Sequence, residues 1–214
     1  MDSLSPTWII ASFRMPRRSD SDSQFCGAVG ALHRSKDRVY GTAWKKRGEV
    51  LSILANVARK VDRLDGVASG IVPDATEVLL DTGVDLLIYC VKYEAFLADL
   101  DPRIEARLFS VSPPRKPYSE GTRGVEQILG ELDLSGLRTL ESVSSAAAEV
   151  IRAFHTIELC FDGLSKREEP VERWAHLRDL TLASIVLIGA ISNAYPHQLA
   201  DFVSRHPART NATS

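Results

Sequence analysis

The sequence predicts a mainly α fold: a helical bundle of four to five main helices behind an irregular N-terminal arm, with room for one short strand. Three observations carry this reading. Apolar residues recur at three- and four-residue intervals over four long stretches. Helix-start signals precede several of those stretches, and Gly- or Pro-containing breaks separate them. The composition, 44% hydrophobic and 25% charged over 214 residues, is that of an ordinary globular domain with ample material for a core.

Taken in order, residues 1–42 form the expected arm. Its segment 7–13 is β-branched and aromatic and reads as a short strand or an anchoring extended piece. Residues 14–23 are Arg, Pro, Ser and Asp, with almost nothing to bury, and read as a loop. The bundle domain spans 43–205. Its first helix, 43–64, follows Trp44 with Val50, Leu51, Ile53, Leu54, Val57 and Val61, and Asp65-Gly66 ends it. Asp74, with Glu77 three residues on, is a capping box for a helix over 75–100 that carries Leu80, Val84, Leu87, Ile88 and Val91. Asp101-Pro102 starts a short helix, since proline is tolerated in the first turn.

Residues 110–124 hold three prolines and two glycines and form the clearest loop, long enough to be of functional interest. A short helix at 125–132 precedes the stripe Leu137, Leu140, Val143, Ala147, Val150, Ile151, Phe154, Ile157, Phe161 and Leu164, which predicts a long helix over 137–164. Ser165 with Glu168 reads as a second capping box, with Pro170 as the alternative first-turn residue, for a last long helix over 169–193. Pro196 breaks that helix, a short one follows at 197–204, and 206–214 is a polar tail.

Three cysteines, odd in number and far apart, argue against a disulfide framework and for a reducing, cytoplasmic compartment, with the thiols buried and inert. The first six residues lack the basic and apolar regions of a secretory signal. The most apolar run, residues 180–195, is interrupted by Thr181, Ser184, Ser192 and Asn193. It is shorter than the ~20 residues of a membrane span, so it is expected as a core helix and no membrane partner is expected.

No phosphate loop, dinucleotide-binding glycine motif, Cys-x-x-Cys, His-Glu-x-x-His or Gly-x-Ser-x-Gly elbow is present, which removes the standard nucleotide-hydrolysis and hydrolase readings. No cofactor is expected. Charge is uneven: residues 1–63 carry 12 Lys+Arg against 6 Asp+Glu, and the remainder 14 against 22. The basic part includes Arg34, Lys36, Arg38, Lys45, Lys46 and Arg47 beside Trp44, a combination of phosphate-neutralising cations and a stacking ring that suits nucleic acid. The plainer reading is a solvated helix face. His155 with Glu158, and Glu172 with His176, share helix faces on two consecutive helices and are the candidate metal set; alternatively they solvate the bundle edge.

By elimination, the expected function is a non-catalytic interaction module: an adaptor, regulator or assembly subunit that engages a protein partner or a second copy of itself through the arm or the 110–124 loop. The alternatives are a nucleic-acid-binding or coat-type protein using the basic face, and a small metal-dependent or nucleolytic enzyme.

Overall fold

Two helices of 25 residues, α4 (Thr76–Leu100) and α8 (Pro170–Ala194), form the centre of the fold. Leu80, Val84, Leu87 and Val91 make one buried stripe of α4, and Leu86, Cys90, Tyr93 and Leu97 are buried on another flank. On α8, Leu177, Leu180, Ser184, Leu187 and Ile191 are buried at helical spacing. This helix is long and apolar enough to cross a membrane by length and composition, and 61% of its most apolar stretch is buried inside the fold. The third core helix is α7 (Val143–Glu158), which packs along α8.

The computed structural model describes residues 19–71, 76–109 and 113–207. The expected strand at 7–13, the Asp74–Glu77 cap and the end of the polar tail lie outside the described residues or side chains. Around the central helices stand α1 (Asp20–Tyr40), α2 (Ala55–Val61), α3 (Asp65–Ala68), α5 (Pro102–Leu108), α6 (Arg123–Glu131) and α9 (Pro196–Arg205). A hairpin of β1 (Phe161–Asp162) and β2 (Ser165–Lys166), with Phe161 opposite Lys166, joins α7 to α8. The architecture is mainly α, as the sequence predicts.

Several boundaries differ, each for a local reason. Much of the expected arm is the helix α1. Ser19 starts it, its hydroxyl accepting from the Asp22 amide at 3.2 Å while the Asp22 carboxylate accepts from the Ser19 amide at 3.4 Å. Phe25, Ala28 and Val29 then bury the helix against the core, with the Phe25 ring 6.4 Å from that of Phe202 on α9. The expected helix 43–64 starts later and less regularly, the chain being helical from Glu49 through α2 to Leu64. A 3₁₀ turn over Gly41–Lys45 leads to Gly48, whose φ of 83° breaks the helix, then come a wide turn over Glu49–Leu54 and α2. The helix expected over 137–164 is confined to 143–158, because Ser142 caps it by accepting from the Ser145 amide at 3.1 Å. Leu140 is left fully exposed. Ser165 lies in β2, and α8 starts at Pro170, where the Glu172 carboxylate accepts from the Glu169 amide at 2.8 Å. In the long loop, Tyr118 is buried and stacks on Phe109 with ring centres 4.2 Å apart, and the Tyr118 and Ser119 amides donate to Asp99 on α4 at 2.7 and 3.1 Å.

Glycine permits a close approach between α8 and the 135–138 turn. A methyl at Gly189 of α8 would stand 2.5 Å from the Gly136 carbonyl oxygen and 2.8 Å from the Leu137 Cα. Gly189→Ala must therefore displace the 135–138 turn and is expected to cost about 1–3 kcal/mol, read as a lower melting temperature. Gly130→Ala, on α6 with nothing within 4 Å of the added methyl, is expected to leave the protein as stable or slightly more so. Equal melting temperatures for the two variants would contradict this packing.

Candidate functional site

A cavity of about 440 Å³ opens between α1, the 41–45 turn, α2 and α4. Its size falls in the ~300–1,000 Å³ range of small-molecule sites. α4 contributes Asp85, Tyr89 and Lys92, spaced four and then three residues apart, so that they form one polar stripe on an otherwise apolar helix. From α2 come Asn56 and Arg59, and from the other wall His33, Lys36, Tyr40 and Trp44. The cavity thus gathers three cations, three aromatic rings and one carboxylate.

That carboxylate is not free. Lys36 Nζ and Lys60 Nζ both donate to Asp85, the latter at 2.6 Å. Burial opposes ionisation of Asp85, yet the two ammonium groups outweigh it and hold the carboxyl below its usual range. Lys92 sits over the Trp44 ring, its Nζ 4.6 Å from the ring centre. Burial lowers its pKa to about 8, which leaves it mostly a cation at neutral pH. Asn56 orients Arg59: its side-chain oxygen accepts from Arg59 Nη2 at 2.6 Å while its own amide donates to the Ser52 carbonyl at 2.8 Å.

Like Gln198 outside the cavity, His33 is a buried side chain whose polar atoms have no partner among the described residues. It is 1% exposed. Burial, and then the nearby Lys92 and Arg34 charges, lower its pKa to about 3, so the ring is neutral, with both nitrogens shut behind the inner wall of the cavity. An unpaired buried polar group is costly.

Of the residues proposed for nucleic acid, only Lys36 and Trp44 line this cavity. Arg34 turns away to Glu126 at 2.7 Å, Lys45 reaches Ser119 at 2.8 Å and Glu120 at 3.3 Å, and Arg38, Lys46 and Arg47 are exposed. Asp85, Tyr89 and Lys92 were missed because α4 reads as a core helix; the detectable signal was three polar residues at helical spacing within it.

The four metal candidates are not brought together. His155 and Glu158 pair with each other at 3.5 Å on an exposed helix end, and Glu172 caps α8. His176 instead meets Glu168 at 3.5 Å, beside Cys160. Cys90 and Cys160 are buried, as expected, and Cys26 is half-buried. Burial, and then the Glu168 carboxylate that accepts its proton, push the Cys160 thiol up to about 12.

The depressed pKa of His33 carries a sign. Between about 6.5 and about 3 the unfolded chain binds a proton there that the folded chain does not, so stability is lost as pH falls through this window. Thermal melts at about pH 7.5 and about pH 5.5 (about one unit either side of the ordinary histidine value) should show a smaller acid-side drop in His33→Leu than in the wild type. Equal drops would contradict a neutral, buried His33.

The chain is similar to the Gene 30 protein of Bacillus phage SP01, being 25% identical to it over 123 residues. The overlap covers 46% of this chain and 55% of that protein, about half the length of each. No protein-family model and no solved structure matches the chain.

Proposed function

We propose that the protein binds a phosphorylated aromatic metabolite of the nucleotide class in the cavity between α1, α2 and α4. The observation that carries this reading is the convergence there of Lys36, Arg59 and Lys92 with Tyr40, Trp44 and Tyr89, around a buried histidine whose ring nitrogens have no partner. Ammonium and guanidinium groups pair with phosphate through charge-assisted hydrogen bonds. The exposed Tyr40 ring suits stacking on a base.

We favour a single nucleotide over a strand because Arg34 and Lys45 are paired with Glu126 and Glu120. The expectation of a protein-binding module rested on the arm and the 110–124 loop. Residues 20–40 are packed into the core as α1, and residues 118 and 119 are tied to Asp99, so neither segment supports that reading better than the cavity supports this one.

Calorimetric titration with nucleoside mono-, di- and triphosphates, the matching nucleosides, inorganic phosphate and a short oligonucleotide tests the assignment. A nucleotide is expected to bind at least about tenfold more tightly than its nucleoside or phosphate alone, and Lys36→Glu or Arg59→Glu to remove at least that factor, equivalent to ~1.4 kcal/mol. If no nucleotide binds the folded protein, if the oligonucleotide binds far better than any monomer, or if both charge reversals leave affinity unchanged, the reading fails.

A further inference from the structure

The hairpin between α7 and α8 assembles three residues of metal-ligating type from separate parts of the chain. Cys160 follows the end of α7, and its carbonyl accepts from the Arg167 amide at 2.9 Å, which closes the hairpin and brings Glu168 back beside it. The second turn of α8 then presents His176. Cys160 Sγ lies 3.2 Å from Glu168 Oε2, His176 Nε2 lies 3.5 Å from the same oxygen, and one donor atom from each residue falls within 4.8 Å of the other two.

These separations match a coordination shell. Tetrahedral zinc with bonds of about 2.3 Å to sulfur and about 2.0–2.1 Å to nitrogen and oxygen has ligand-to-ligand edges of roughly 3.3–3.6 Å. Two observed edges, 3.2 and 3.5 Å, lie within a few tenths of an ångström of those values, and the Cys160–His176 edge, no longer than 4.8 Å, closes as the ion binds. We propose that Cys160, Glu168 and His176 form a binding site for a zinc-class transition-metal ion at the base of the β1–β2 hairpin, with water as the fourth ligand.

The donor set selects the metal. Thiolate and imidazole favour borderline and soft cations such as zinc and cobalt over magnesium and calcium, which require oxygen ligands. The surroundings hold the ligands in place. Arg173 Nη1 donates to the Glu168 carbonyl, and the same guanidinium is fixed by Glu49 at 2.9 Å. Cys160 is fully buried, whereas the side chains of Glu168 and His176 are 36% and 34% exposed, which gives an ion a path in. On binding, the sulfur–hydrogen bond is replaced by a sulfur–metal bond and one proton leaves to solvent. The bound ion cross-links the end of α7 to α8 through side chains of three segments.

The test uses the full reduced chain, stripped of metal and titrated with cobalt(II). One equivalent is expected to bind with thiolate-to-cobalt charge-transfer absorption and the intense visible bands of a tetrahedral ion, and zinc is expected to displace it. Cys160→Ser should abolish the charge-transfer band, while Cys26→Ser, Cys90→Ser and His155→Ala leave it unchanged. His176→Ala, at a half-exposed position where circular dichroism can confirm the fold, should weaken binding by more than about 100-fold, beyond the effect of losing an outer-shell partner. Absence of a thiolate band at one equivalent, its survival in Cys160→Ser, or unchanged affinity in His176→Ala would overturn the site.

Discussion

The rest of the structure hangs on one buried ion pair. Glu49, in the turn after Gly48, and Arg173, on α8, are each 2% exposed and meet at 2.9 Å. The same carboxylate accepts from the Tyr93 hydroxyl of α4 and from Lys166 Nζ of β2 at 2.8 Å. The turn at Glu49, α4 and the stretch from β2 into α8 thus share one anion. A buried pair of this kind adds little net stability over a well-packed apolar replacement, whereas removing one partner typically costs about 3–5 kcal/mol. Its contribution here is geometric. Glu49 fixes the turn that puts Trp44 on one side and α2, with Arg59 and Lys60, on the other; Arg173 holds the chain at Glu168. Both the cavity and the hairpin trio depend on it.

A second buried carboxylate plays the same part lower on α4. Glu94 is fully buried and accepts from Trp174 Nε1 at 3.1 Å, Arg178 Nη1 at 3.2 Å and the Thr181 hydroxyl at 2.9 Å, all on α8. Burial raises its pKa despite these donors. Because α4 is buried on most sides, greasy contacts alone leave its rotation weakly specified; fixed polar contacts to α8 select one orientation, and that orientation presents Asp85, Tyr89 and Lys92 to the cavity.

The central helices were legible in the sequence because their apolar residues are many and closely spaced: 169–193 was expected and Pro170–Ala194 found. α1 was not, since its buried side rests on Phe25 and small residues such as Ala28 and Gly30, and its start is crowded with Ser and Asp, which read as a loop until Ser19 and Asp22 are seen capping each other. Leu137 and Leu140 extended an apparent stripe that Ser142 interrupts. The candidate site was half legible. Lys36 and Trp44 stood out as cation and ring, but their meeting with Lys92 and Asp85 is a tertiary fact that spacing along one chain does not encode. Spacing groups His176 with Glu172, whereas the fold sets it beside Glu168 and Cys160, because the β1–β2 turn that returns Glu168 to Cys160 is only two residue pairs long and leaves no strand pattern.

The proposed ligand site has His33 at its wall, and the ring nitrogens of that histidine report on its occupancy. Nitrogen-15 spectra of the His33 side chain in the free protein should show one protonated and one unprotonated nitrogen at neutral pH. On saturation with the tightest-binding nucleotide, the ring resonances should move as phosphate charge and a base are placed beside them. Resonances that stay in place while the nucleotide is demonstrably bound would contradict this site and put the ligand elsewhere on the fold.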